Sequence, residues 1–551
     1  MYFLSSLHRA QLIHELRETH FDLLIIGGGA TGAGIALDAA SRGMKTALVE
    51  KQDFAAGTSS RSTKLIHGGL RYLKQFEIAL VREVGRERAT VHHLAPHLVV
   101  SEKMLLPLIK GGTYGKMTTS LGLMVYDVLA GVESEDQRVM LSKEETLQQE
   151  PLFPADILEG AGLYAEYRTD DARLTIEVIK TAASFGAHSI NYVEATEFLY
   201  EADRVVGATC RDLHTGETFS IRARQVISAA GPWVDDLRKK NKSAEGKYLH
   251  LTKGVHLVVP HARFPLRQSI YFDLPDGRMI FAIPRGRITY IGTTDTDYQG
   301  SKENPRTLKA DVDYLLNGVN HTFSQLQLRQ EDVISSWAGL RPLIHEEGKS
   351  ASDLSRKDEI FISPSKLISI AGGKLTGYRK MAERAVDRVA RRLRKKFDLE
   401  FKDCYTEKIV LTGGGFEGPK DVEKYKQQIT DLLLPAGLSA YEADYLVHNY
   451  GKQTDAILAK FGEYDGQDPQ LALARAELWF SIHHEMVVTP MDFFSRRTGR
   501  LYFDIETVKA FQAPLLEDFR QAFGWSEEEL TLHRKELETA VYEASHFPES
   551  A

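Results

Sequence analysis

Between residues 21 and 50 the chain commits itself to one kind of local fold. An apolar run of strand length, FDLLII, opens directly onto Gly27, Gly29 and Gly32 in the spacing G-x-G-x-x-G. Small and helix-favouring residues follow from Ala30 to Arg42. Gly43 then stands where a helix stop is expected, and KTALVE at 45–50 reads as a second strand. The first strand shows no polar alternation, so both of its faces are covered, as in a parallel sheet. The spacing predicts a βαβ start of the Rossmann type. Gly27 permits the tight turn, Gly29 lets the backbone approach a pyrophosphate, and Gly32 lets helix and strand pack closely. The helix N-terminus turns unpaired N–H groups toward the phosphates. Glu50 closes the second strand, 18 residues after Gly32. Its carboxylate can accept both ribose hydroxyls and would repel a 2′-phosphate, which disfavours NADP.

A dinucleotide turn alone does not separate NAD from FAD, and two further segments point to FAD. Residues 57–72, GTSSRSTKLIHGGLRY, are polar and rich in small side chains. They can lay backbone N–H groups and the hydroxyls of Thr58, Ser59 and Ser60 along an extended cofactor. Late in the chain, a strand at 367–370 meets Gly372 and Gly373, and a helix is expected from about Thr376 to Arg394. The N-terminus of that helix, with Lys374, would stabilise negative charge at the pyrimidine edge of a reduced flavin.

At 551 residues the chain exceeds one ordinary core, so two to four packed units are expected. The net charge of −7 argues against nucleic acid as the main partner. Two cysteines, Cys210 and Cys404, make no disulfide framework and are too few for an iron–sulfur cluster, which fits a reducing compartment. The first twenty residues are too charged for a signal peptide. No apolar run reaches about 18 residues, which excludes a membrane span but not surface attachment. Further along, the pattern predicts a helix at 74–95, a hairpin of 204–211 and 217–224 about Gly216, and a buried strand at 225–229. Strands at 255–259, 279–283 and 288–292 suggest a mostly antiparallel sheet, and helices with charged faces follow Pro419. The fold class is therefore α/β, with three units. A discontinuous FAD-binding domain takes 1–95, 160–245 and 335–400; a substrate domain takes 96–159 and 246–334; a helical C-terminal domain takes 405–551.

The segments TSSRSTKLIHGGLRYL (58–73), KGVHLVVP (253–260), IGTTDTDY (291–298), GLRPL (339–343) and GGKLTGYRKMAE (372–383), with TPMDFFSRRTGRL (489–501), resemble the FAD-dependent glycerol-3-phosphate dehydrogenases. These belong to the D-amino-acid-oxidase-like flavoproteins, and the resemblance spans nearly the whole length. It implies FAD as cofactor, oxidation of sn-glycerol 3-phosphate to dihydroxyacetone phosphate by hydride transfer to flavin, and electrons passed to a membrane quinone. It also implies a cytoplasmic protein, peripheral on the inner membrane face; a homodimer is the candidate assembly. Carried over by motif, Arg71 and Tyr72 should face the substrate, and His256, Arg341 and Lys374 should complete the pocket. Asp276 matches a further acidic position. Lys64, His67, Gly372, Gly373, Leu375 and Thr376 join the earlier residues as cofactor contacts. No extra insertion of the oxygen-reducing branch is visible, so a dehydrogenase is favoured over an oxidase.

These residue types suit the chemistry. Guanidinium groups bind phosphate oxygens bidentately. Oxidising a secondary alcohol needs a base that takes the hydroxyl proton as hydride leaves, for which His256 is the candidate, with Arg341 placed to stabilise developing alkoxide. Two other readings keep the fold: an amine- or amino-acid-oxidising enzyme, and a non-catalytic flavin module that senses redox state. The histidines of HHLAPH (92–97) and His483-His484-Glu485 lack H-E-x-x-H spacing. The start of a calcium loop at Asp295 fails because Arg306 stands where a bidentate Glu is needed, and a P-loop start at Gly413 fails at Pro419. Residues 117–130 are read either as an interfacial helix or as a buried one. Arg496, Arg497 and Arg500 are read as a solvated or interdomain face.

Overall fold

The fold is described from a computed structural model that covers residues 4–67, 78–111, 137–274, 276–345, 358–464 and 466–550. The predicted positions Arg71 and Tyr72, and the segment 117–130, lie outside the described residues. The elements that position the site are β1 (His20–Ile26), α1 (Ala30–Ser41), β2 (Thr46–Val49), β3 (Thr218–Ser228), β4 (Leu249–Pro260), β5 (Met279–Arg285), β6 (Ile288–Gly292), β7 (Ser335–Ile344), β8 (Asp358–Ile362), β9 (Ile368–Gly372) and α2 (Tyr378–Phe397).

The first sheet runs β8-β9-β3-β1-β2 and ends on a short strand at His188–Ile190. Its pairings are parallel from β9 to that last strand, while β8 is antiparallel to β9 at the edge. All but the first residue of β1 is buried, because α1 and α2 pack on one face of the sheet. The predicted hairpin forms: Arg204–Asp212 pairs antiparallel with β3 about Gly216, which takes φ +74°. The separate strand expected at 225–229 is instead the second half of β3. One continuous strand alternates in burial where one face meets solvent, and becomes wholly buried where β1 and β9 flank it. The apparent break in pattern records a change of surroundings, not of backbone.

Among the described residues the second sheet has ten strands and is antiparallel save for one parallel pairing, Ser269–Asp273 on Val100–Ile109. Near one edge, β4 pairs with β6 on one side and along almost its whole length with β7 on the other. Beyond Pro419 the described chain is helical and packs around its own apolar clusters. Among the described residues no helix is long and apolar enough to cross a membrane. The molecule is thus α/β, with two sheets and a helical C-terminal region.

The helical region is tied to the first sheet by charge. The Asp53 carboxylate, buried in the loop after β2, accepts from Arg496 Nε at 2.5 Å and from Arg497 Nη1 and Nη2 at 2.7 and 2.9 Å. Asn191 Nδ2 adds a bond at 2.9 Å. Burial alone would raise this carboxyl's pKa, but the two guanidinium groups outweigh it and hold the pKa down at about 2. Of the two readings of the arginine cluster, the interdomain one is what the structure contains. Arg500 likewise pairs inside, with Glu477 at 2.5 Å.

Candidate active site

Gly27 sits at φ +117°, where a side chain is strained, and a Cβ there would lie 2.6 Å from the Ala229 carbonyl oxygen. A Cβ on Gly32 would lie 1.9 Å from the Gly27 carbonyl oxygen, so α1 can approach the turn only with glycine there. Glu50 Oε2 accepts from the Gly28 N–H at 2.7 Å and Oε1 from the Gln52 N–H at 2.8 Å. These bonds fix the carboxylate at the end of β2, although burial is the larger effect and raises its pKa. Each oxygen keeps a second lone pair for a hydroxyl. The Ser59 hydroxyl accepts from the Ala30 N–H at 2.9 Å, capping α1.

This turn forms one end of a cavity of about 880 Å³ between the two sheets. Its wall includes the predicted positions Gly27, Gly29, Glu50, Thr58, Ser59, His67, His256, Arg341, Gly372, Gly373, Lys374, Leu375 and Thr376. Thr58 is held by its hydroxyl on the Leu340 carbonyl at 2.7 Å, and the Thr376 hydroxyl bonds the His67 carbonyl at 3.3 Å. Gly32 does its work behind the turn.

Three expected contacts are corrected. Lys64 does not line the cavity: its ammonium is buried on Asp171 Oδ1 at 2.5 Å and the Ser60 carbonyl at 3.1 Å, with Asp170 at 3.7 Å. A buried ammonium is costly unless paired, and this acidic pair gives it a partner in the interior. Ser60 is buried beside it and offers its carbonyl inward. Asp276 is exposed and bonds Arg278 and Tyr314. Its neighbour Arg278 reaches the wall where Asp276 does not.

The opposite end of the cavity is built on β4, β6 and β7. His256 on β4 is buried, its ring stacked on Trp337 at 4.7 Å between centroids and 10° between planes. Nε2 meets the Thr63 hydroxyl at 2.9 Å, whereas Nδ1 has no hydrogen-bond partner among the described residues. Burial first, then the charges of Arg341 and Lys64, hold its pKa well below the usual 6.5. It is therefore a neutral imidazole at pH 7. The ring fits only because its cross-strand partner is Gly292, where a Cβ would come within 2.1 Å of His256 Cδ2.

Arg341 on β7 is accommodated the same way. A Cβ on Gly254 of β4 would lie 2.4 Å from its guanidinium. Arg341 bonds the Thr294 carbonyl at 3.2 Å, the Thr293 hydroxyl at 3.0 Å and Asp295 at 3.3 Å. Gly254, Gly292, Thr63, Trp337, Thr293 and Asp295 were not among the predicted site residues. Gly254, Thr63, Gly292, Thr293 and Asp295 lie inside segments quoted for the resemblance, but their roles depend on cross-strand register.

The donor set fits FAD: a glycine turn with no room for Cβ, a helix N-terminus, a carboxylate at the ribose position, and a second Gly-Gly turn at 372–373 on the same wall. Comparison with known proteins agrees. A family model described as FAD dependent oxidoreductase matches residues 22–404, and one described as C-terminal domain of alpha-glycerophosphate oxidase matches 404–530. The chain is 51% identical over 545 residues to the aerobic glycerol-3-phosphate dehydrogenase of Bacillus subtilis (strain 168), covering 98% of each. It is 48% identical over 546 residues to the protein of that name from Staphylococcus epidermidis, again covering 98% of each. The solved structure of the glycerol-3-phosphate dehydrogenase from Bacillus halodurans complexed with FAD matches with a TM-score of 0.84 at 45% identity, covering 99% of both chains. With these matches, this chain belongs to the family of FAD dependent oxidoreductases.

Proposed function

We propose that the chain oxidises sn-glycerol 3-phosphate to dihydroxyacetone phosphate and passes the electrons to a membrane quinone, working as a peripheral protein on the cytoplasmic face. The observation that carries this reading is a buried histidine held neutral beside Arg341, on the wall of a cavity that Lys374 also lines. In this reading Arg341, Lys374 and Arg71 hold the phosphate and Tyr72 borders the substrate. His256 accepts the C2 hydroxyl proton at Nε2, the nitrogen that meets Thr63 on the cavity wall. Arg341 then steadies the charge developing on that oxygen. FAD, when bound, supplies the acceptor for the hydride. Trp337 keeps the imidazole plane fixed, so that no orientational freedom must be lost at the moment of transfer.

An amino-acid substrate would call for one carboxylate-binding arginine and an apolar wall, and two cations at this wall suit a phosphate dianion better. Anaerobic mixing of the purified flavoprotein with glycerol 3-phosphate, followed at the flavin absorbance, tests the assignment. Prompt bleaching is expected with that compound, and none with glycerol or D-alanine. A flavin that stays oxidised with glycerol 3-phosphate would overturn it.

A further inference from the structure

The buried indole of Trp337 touches more than His256. Besides the stacked imidazole, Tyr290 of β6, Tyr502 and Phe503 pack against it, at 5.7, 5.5 and 5.8 Å between centroids. Tyr502 and Phe503 come from the helical C-terminal region and belong to neither sheet. They end a short helix, Arg500–Phe503, that is fastened from several sides. Gly499 takes φ +66° just before it, and a Cβ there would lie 3.1 Å from Phe503 Cδ2. Arg500 is paired inward with Glu477. The Ser335 hydroxyl of β7 donates to the Tyr502 carbonyl at 2.5 Å, and the Arg285 guanidinium of β5 lies 4.0 Å from the centre of the Phe503 ring.

The imidazole in front of this packing has few fixings of its own. Nδ1 has no hydrogen-bond partner among the described residues, and the bond to Thr63 is made by Nε2, the nitrogen assigned to the proton. That bond must yield when a substrate hydroxyl arrives, so the stack on Trp337 is what still orients the ring during transfer. A stacked ring is held no better than its support, because close-packed side chains pass a displacement on to their neighbours. Trp337 Nε1 donates to the Ser62 carbonyl at 3.1 Å, which pins one edge of the indole. Tyr502 and Phe503 restrain it further, from a part of the chain more than 160 residues away.

We propose that Tyr502 and Phe503 are positioning residues for the oxidation: through Trp337 they hold the His256 imidazole in line with the hydroxyl proton, so the C-terminal region completes the active site. The inference rests on the reading of His256 as the proton acceptor. The test compares FAD-loaded Tyr502→Ala, Tyr502→Phe and Phe503→Leu with wild type, by steady-state kinetics and by anaerobic bleaching at saturating glycerol 3-phosphate. Phe523→Ala is the control, since it removes a partly buried ring of the same helical region that packs on Phe519 and Trp525 instead. A retreat of the imidazole by about half an ångström lowers turnover about ten-fold. Tyr502→Ala and Phe503→Leu should therefore lose about that much in kcat and bleaching rate. KM should hold, because Arg341 is braced by Thr293, Thr294 and Asp295 and not by Trp337. Tyr502→Phe, which keeps the ring, should restore the rate, and Phe523→Ala should keep the wild-type kcat whatever its thermal midpoint. Wild-type kcat in both Tyr502→Ala and Phe503→Leu overturns the inference. So does an equal loss in Phe523→Ala, which would mark general loosening, or a Tyr502→Phe as slow as Tyr502→Ala, which would place the effect on the hydroxyl. A His256→Gln enzyme that bleaches at the wild-type rate would instead overturn the reading beneath it.

Discussion

Replacing Gly292 by alanine should silence the enzyme without emptying it of flavin. The new Cβ would lie 2.1 Å from His256 Cδ2 and 2.6 Å from Nε2. Ordinary contact begins near 3.4 Å, so the imidazole must retreat by more than an ångström. Residue 292 cannot yield instead, because its strand is held on both sides, opposite His256 on β4 and Phe281 on β5. The ring has little freedom of its own, with Trp337 stacked on its face and Thr63 bonded to Nε2. Displacing a reacting group by about 1 Å can lower turnover about 100-fold. A drop of that order in kcat is expected, with FAD content unchanged, since the glycine turn lies at the other end of the cavity. The assay is steady-state dye reduction with glycerol 3-phosphate, normalised to flavin absorbance. Gly462→Ala is the control, because nothing lies within 4 Å of a Cβ there. Wild-type kcat in a flavin-replete Gly292→Ala enzyme would refute the placement of His256 at the reacting carbon.

Two further outcomes follow from buried charge. Arg497→Ala leaves Asp53 with Arg496 as its one bonded cation, so it should cost about 3 kcal/mol, the low end for breaking a buried pair. A lowered thermal midpoint with early FAD release is expected, and an unchanged midpoint would show the pair to be idle. His97, fully buried with neither ring nitrogen bonded among the described residues, has its pKa lowered to about 3 by burial. The unfolded chain therefore binds this proton more readily. The stability from keeping His97 neutral is complete above about pH 6.5 and is lost as pH falls toward 3, at about 1.4 kcal/mol per pH unit. His97→Phe should flatten the fall of the midpoint between pH 6.5 and 4.5; identical slopes would rule this histidine out.

The parts of the site that could be read from the sequence are those settled within a few dozen residues. The β1–turn–α1–β2 unit and Glu50 announce themselves because strand, glycines, helix and carboxylate follow in order. The Gly-Gly turn before α2 is legible for the same reason. Gly254 and Gly292 were not, since their work is to clear space for side chains on a neighbouring strand, and only the register reveals which ones. Lys64 shows the converse: its motif suggested a cofactor contact, but Asp170 and Asp171, more than a hundred positions later, claim its charge. The bond between Asp53 and the arginine pair 443 and 444 positions away was likewise beyond any local pattern.

That bond reaches further than stability. The loop bearing Asp53 also grips the dinucleotide turn, through Ala55 N–H on the Gly28 carbonyl at 3.0 Å and Glu50 on the Gly28 N–H. The C-terminal helices thus hold, at one remove, the backbone of the glycine turn that follows β1. A chain cut near residue 404 would strip the Asp53 carboxylate of both its guanidinium partners. Its nucleotide turn should then slacken, so the helical region behaves as a latch on cofactor retention as well as a neighbouring unit.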